Sequence, residues 1–202
     1  MKTLEIPSNE NIGATIVEAV TEDAEGIQTL VSEASKGMYE LCGWSPEEIS
    51  NHFSPEKIKE GADKMEKSIA AFTESDILYV AKDNNGKIVG CCFAGRQENV
   101  NKIEAVYVAQ EFQGVGLSKK LFYEAYKLLN PENDTVLDVF SLNSKAINFY
   151  KKLGFSETGK KFSDEKYTGS EGKALEITEM MLPGKRDKVS LAMEYTPLPP
   201  NN

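Results

Sequence analysis

The sequence predicts an α/β fold: a mixed, partly antiparallel central sheet flanked by helices, with an extra C-terminal strand. Three observations carry this. Short β-rich runs share residues 14–183 with helical stripes of apolar residues. Asn85-Gly86 joins two of those runs as a hairpin would. After the hairpin meander, strands and helices alternate singly, the mark of crossover connections. A chain of 202 residues, 40% hydrophobic and 27% charged, supports one well-buried core rather than two full domains.

Residues 1–13 are polar and read as a flexible segment, 14–183 as the domain, and 184–202 as an extension. The run 14–20 (ATIVEAV) reads as a strand. Thr21 offers an N-cap oxygen, and Glu22, Asp23 and Glu25 suit the positive end of a helix. Ile27, Leu30, Val31, Ala34 and Met38 then recur at helical spacing. Ser45-Pro46-Glu47-Glu48 starts a short helix with a capping box. Ser54-Pro55-Glu56 repeats the cap, and Ile58, Ala62, Met65, Ile69 and Phe72 form the stripe of a second long helix. Strands follow at 77–82 and 87–96 around the Asn-Gly turn, and at 103–108. A glycine-bearing turn at 113–118 leads into a helix, 135–140 is a strand, 144–153 a helix and 175–182 a strand stopped by Pro183. Val189, Leu191, Met193 and Tyr195 alternate with polar or small residues, which predicts the extra strand. It would cover a sheet edge of its own subunit or of a dimer mate.

Charge narrows the function. Lys and Arg total 23 against 32 Asp and Glu, a formal net charge of -9. Such a chain lacks the basic footprint that nucleic-acid phosphates need, and it suits cationic small molecules. No apolar run approaches the ~20 residues of a spanning helix. The first residues lack the apolar core of a signal peptide, so a soluble, cytoplasmic protein is expected. With 3 cysteines and 1 histidine, the sequence argues against a disulfide framework, a zinc site and a serine–histidine triad. No metal is expected.

The segment 103–121 (IEAVYVAQEFQGVGLSKKL) carries the most chemistry. A strand ends, the chain turns through glycines, and a helix begins. That geometry gathers backbone N–H groups at a helix N-terminus and can hold a diphosphate without basic side chains. It is neither a Walker loop nor a dinucleotide fingerprint. Taken alone, a tight turn whose glycines permit close packing accounts for it equally well.

A second segment, 143–155 (NSKAINFYKKLGF), follows the next strand. Together the two resemble the GNAT superfamily of N-acetyltransferases, including its spermidine/spermine-type members. Gln113 and Gly116 match the acetyl-CoA diphosphate motif [Q/R]-x-x-G-x-[G/A], and Asn143, Ala146, Tyr150, Gly154 and Phe155 match the second element. Ser118 departs from the usual Gly or Ala, yet it is small and keeps its N–H.

The resemblance implies a GNAT-like sheet that opens beside strand 103–108, with acetyl-CoA as co-substrate. Val106, Tyr107 and Val108 would meet the pantetheine arm, Gly114, Val115, Gly116, Leu117, Ser118 and Lys119 the diphosphate, and Asn143 the arm again. Direct transfer to a primary amine, whose pKa is about 10.4 by the lysine reference, needs a base. Glu104 looks like that base; an exposed strand carboxylate is the alternative. Tyr150 would protonate the leaving sulfur, being protonated at neutral pH with an ordinary pKa of about 10. Without the resemblance it reads as a core aromatic in a helical stripe. The Val106 N–H would meet the oxyanion.

Cys91 and Cys92 read as buried apolar residues. Tyr39, Trp44, His52 and Phe53 either line an amine pocket or form a satellite cluster. Glu47, Glu48 and Glu56 read as helix starts. The expected activity is acetyl transfer from acetyl-CoA to an amine in a ternary complex. A small polyamine-like acceptor is favoured over a peptide N-terminus or an aminoglycoside. The competing reading is a non-catalytic acyl-CoA-binding regulatory module.

Overall fold

The computed structural model describes residues 13–41, 43–163 and 175–184. The predicted strand at 189–195 lies outside them. The strands are β1 (Ala14–Glu18), β2 (Asp76–Asp83), β3 (Ile88–Arg96), β4 (Val100–Val108), β5 (Asp134–Phe140), β6 (Ser156–Ser163) and β7 (Glu176–Leu182). The helices are α1 (Ala24–Leu41), α2 (Pro46–His52), α3 (Pro55–Ala70), α4 (Leu117–Tyr126) and α5 (Ser144–Lys152). The strands form one seven-stranded sheet in the order β1-β2-β3-β4-β5-β7-β6. Every neighbouring pair is antiparallel except β4 and β5, which are parallel. This is the mixed, partly antiparallel sheet that the hairpin and the crossovers predicted.

The hairpin forms between β2 and β3. Gly86 takes φ +81°, and Asp83 Oδ1 accepts from the amides of Asn85 (2.8 Å) and Lys87 (2.9 Å). The turn residues thus tie off their own backbone.

Helices cover both faces of the sheet. Gly90 lies against Leu121 of α4, where an added Cβ would stand 2.7 Å from Leu121 Cδ1. Phe93 has the opposite parity along β3 and stacks on Phe72, just after α3 (5.5 Å, 18°). The core centres on Leu117, Leu121, Phe122, Ile103, Leu137 and Met180, all at most 2% exposed.

Three elements differ from the sequence reading. Thr21 is not the cap. Its hydroxyl donates to Glu22, while Asp23 Oδ2 accepts from the Val20 amide (3.1 Å) and Asp23 Oδ1 pairs with Lys82 (2.6 Å). The Asp23 carboxylate accepts from the amide and also neutralises the Lys82 ammonium, which an uncharged hydroxyl cannot do, so Asp23 takes the buried position. β4 starts at Val100, three residues early, because Asn101 is buried by specific bonds. Its Nδ2 donates to the Asn130 carbonyl (2.7 Å), and its Oδ1 accepts from the Asn130 amide (3.1 Å). β6 was missed altogether. All of its residues are exposed, so no apolar alternation marks it. β7 pairs with it, and Lys160–Glu179 (2.8 Å) and Lys161–Glu176 (2.7 Å) join the two strands.

Candidate active site

β4 and β5 run side by side only from Val100↔Asp134 to Ile103↔Leu137. Beyond that rung β4 continues to Val108 and β5 to Phe140 without pairing each other, although each keeps its outer partner. The sheet therefore forks, and the fork presents unpaired strand edges to a ligand.

A β-bulge sits at the vertex. Phe93 pairs with Ala105 and Ala94 with Ile103, which leaves Glu104 as the extra residue. The inserted residue resets parity. Ile103 and Val106 both share a face with α4-side residues (Ala94 and Cys92), which an unbulged strand could not achieve. Glu104 itself is exposed, and no hydrogen bond or ion pair of its carboxylate is found among the described residues. Beside it, Lys102 Nζ meets Asp138 Oδ2 at 2.5 Å, joining the strands where they part. Glu179, opposite Asp138 on β7, extends this row to Lys160. The sequence reading missed Lys102 and Asp138; period-two alternation in the two strands was the available signal.

The mouth of the fork is the turn into α4. Gly114 (φ +83°) and Gly116 (φ +85°) hold left-handed backbone, which favours glycine. Nothing stands within 4 Å of a Cβ added at Gly114, so the loop there borders open space. Gly116 is the N-cap of α4 with no side-chain cap, and the Lys120 amide bonds the Gly116 carbonyl (3.1 Å). The amides of Leu117 and Ser118 consequently have no acceptor within the helix. Leu117 is buried as an anchor, Val115 is 51% exposed, and Lys119 Nζ stands 5.7 Å from the Tyr123 ring centroid. Gln113 pins the turn, its Nε2 donating to the Val108 carbonyl (3.1 Å) and its Oε1 accepting from Lys145.

Asn143 lies across the fork. Its Oδ1 accepts from the Ala146 amide (3.0 Å) and caps α5. The Tyr150 ring is buried against Phe149 (5.1 Å) and Phe155 (5.7 Å). Burial pushes its phenol above the ordinary value, and nearby Cys92 and Tyr107 push the same way. Tyr107 lies in the splayed part of β4, and Cys92 pairs with Val106. Tyr150 thus underlies the strand segment that leaves β5, while Glu104 marks the vertex.

Cys91 and Cys92 are buried, and burial pushes the Cys91 thiol up to about 12. A thiol so hard to ionise is a poor nucleophile. Tyr39, Trp44, His52 and Phe53 pack on one another, with Tyr39–Trp44 at 4.7 Å and His52–Phe53 at 4.8 Å. Burial and then Lys57 lower the His52 pKa. Glu48 closes the capping box of α2 (Ser45 amide to Glu48 Oε2, 2.8 Å), so its role is structural. Among the described residues no group of three or more His, Cys, Asp or Glu could hold a metal, and no helix is long and apolar enough to cross a membrane.

Residues 74–157 match the acetyltransferase (GNAT) domain family, a span from β2 to the start of β6 that contains the whole fork. Solved structures share the fold. PaiA N-acetyltransferase from Thermoplasma acidophilum, determined in complex with coenzyme A, is 21% identical. The alignment covers 82% of this chain and 97% of that one, with a TM-score of 0.55. The ribosomal-protein-S18-alanine N-acetyltransferase from Escherichia coli is 18% identical over 86% and 96%, with a TM-score of 0.57. A histone acetyltransferase HPA2 and related acetyltransferase from Corynebacterium glutamicum is 18% identical over 87% and 98%, with a TM-score of 0.62. The seven-stranded open sheet seen here matches the fold of these neighbours, and the domain match over residues 74–157 supports an acyltransferase.

Proposed function

We propose that the chain transfers an acetyl group from acetyl-CoA to a primary amine by direct attack within a ternary complex. The observation that carries this reading is the fork, opened at Glu104 and with an uncapped glycine turn at its mouth. The residues fit the co-substrate. The edge of β4 along Val106, Tyr107 and Val108, which no longer pairs with β5, can meet the amide-bearing pantetheine arm as a strand would, with the Val108 carbonyl already taken by Gln113 Nε2. The amides of the 114–119 turn and the positive end of α4 suit a diphosphate. Asn143 and Ala146 border the arm from the α5 side.

Acetyl-CoA supplies an activated acyl group and a thiolate leaving group. Glu104, unpaired at the vertex, accepts a proton from the incoming ammonium, directly or through water, and so exposes the nitrogen lone pair. The Val106 N–H serves the carbonyl oxygen as charge builds there. Tyr150 keeps its proton throughout the neutral range, because burial opposes its ionisation. The same burial disfavours a free thiolate, so the phenol proton passes to sulfur as the C–S bond breaks. The nitrogen's remaining surplus proton restores the phenol. A small polyamine-like acceptor is favoured, supported by the acidity of the chain and by the exposed Glu104 carboxylate at the vertex. A cytoplasmic location and a pairing role for residues 189–195 belong to this reading.

The test is release of free thiol from acetyl-CoA with a panel of amines. A primary amine with a second cationic group is expected to turn over fastest. Glu104→Gln should lower the rate at neutral pH and recover it as pH rises towards the amine pKa of about 10.4. Tyr150→Phe should lower kcat about 100-fold with coenzyme A binding intact. Tight coenzyme A binding with no thiol release for any amine would replace this reading by the non-catalytic binding module.

A further inference from the structure

We infer that Lys145 is a cofactor-binding residue, whose ammonium serves the diphosphate of acetyl-CoA from the far side of the fork. The inference rests on the acetyl-CoA reading and adds a residue to it: the motifs place the diphosphate on the α4 turn alone. Gln113 is the hub. Its Nε2 holds the carbonyl of Val108, the last residue of β4, and its Oε1 takes the ammonium of Lys145, in the first turn of α5. One side chain thus joins both arms of the fork at the start of the glycine turn.

Lys145 has reason to leave that bond. A cation in a first turn opposes the helix dipole, and no acid in the first turn of α5 compensates it. Among the described residues no carboxylate pairs with it. Gln113 takes one of its three N–H donors, leaving two for phosphate oxygens. The side chain is exposed and its stem flexible, so it can reach an anion at Gly114 without backbone movement. A diphosphate there would neutralise three positive features together: the α4 end, the α5 end and the ammonium. It would form a charge-assisted bond where the protein alone offers a neutral amide.

The experiment is calorimetric titration of wild type, Lys145→Met and Lys145→Arg with coenzyme A and with 3′-dephospho-coenzyme A. A thiol-release assay with S-acetylpantetheine, which has no phosphate, accompanies it. Lys145→Met should weaken both nucleotides about tenfold, the scale of one charge-assisted hydrogen bond at a wet surface. Lys145→Arg should keep most of the affinity, and kcat/KM should fall far less with S-acetylpantetheine than with acetyl-CoA. Equal losses for the phosphate-free thioester would overturn the inference and leave Lys145 holding the fork only through Gln113. A loss confined to coenzyme A would move the cation to the 3′-phosphate, and undiminished affinity for both nucleotides would remove it from the site. If wild type binds neither nucleotide, the acetyl-CoA reading itself fails; if wild type binds and the variants do not differ from it, only the role of Lys145 fails.

Discussion

The first turns of α1, α2 and α3 are finished differently from those of α4 and α5. The first three each carry a carboxylate there: Glu25 in α1, Glu47 and Glu48 in α2, Glu56 in α3. In α2 and α3 a serine hydroxyl also accepts an amide, Ser45 from Glu48 (3.2 Å) and Ser54 from Lys57 (3.4 Å). Neither α4 nor α5 has an acid in its first turn; α4 lacks a side-chain cap, and α5 carries Lys145. In a chain with 32 acidic residues, these two helix starts flank the fork. Acidic compensation of the helix dipole is thus present on one side of the molecule and withheld at α4 and α5, where an anion is proposed to bind, although Asn143 still caps α5. Helix-end chemistry that stabilises the fold in one region is, on the proposed reading, left open to a ligand in the other.

The strongest response should come from finishing α4 as α1–α3 are finished. Ser118→Glu puts a carboxylate in its first turn. Unfolding stability should hold or rise by about 0.5 kcal/mol, while KM for acetyl-CoA rises about tenfold or more. An unchanged KM would mean that the α4 end faces no anion.

A second measurement probes beneath the fork, where Cys91, Cys92 and Tyr150 are buried and neutral. The Cys91 thiol is pushed up to about 12, against about 8.5 in an unfolded chain. The folded state therefore keeps a proton that the unfolded chain releases first. The resulting stability is complete below about pH 8.5 and is lost as pH rises towards 12. The Tm should fall by several degrees from pH 8 to pH 11, and Cys91→Ala should flatten that slope. A flat wild-type profile would show that these groups ionise alike folded and unfolded.

The mildest change is expected on the finished side. Ser45→Ala removes the α2 cap and should cost about 1 kcal/mol in denaturant unfolding. Acetyl-CoA affinity should not move. A matching loss of affinity would mean that α2 is coupled to the fork.

Much of this was legible along the chain because its causes are local. Asn-Gly, Ser-Pro-Glu-Glu and the helical stripes each act over a few residues, so the hairpin, the α2 cap and the faces of α1 and α3 follow from spacing. Glu104, Gln113, Asn143 and Tyr150 were reached through two motifs, and the structure gathers their segments around one fork. β6 left no trace, because an exposed polar edge strand is held by a neighbour and three ion pairs rather than by its own pattern. Asn101 was missed because a buried amide is satisfied by carbonyls about 30 positions away, at Asn130 and Asn133.

Residue order alone marks most of the strands and helices and the places where glycine must turn the chain, and through a family resemblance it names candidate side chains for acyl transfer. It leaves open where β4 parts from β5, that Glu104 is the bulged residue at that point, and that Lys145 reaches Gln113 across the gap; those came from the assembled fold. Periodicity and turn chemistry are settled between neighbours in the chain. Register, bulges and cross-strand ion pairs depend on which distant segment arrives alongside, and packing alone fixes that.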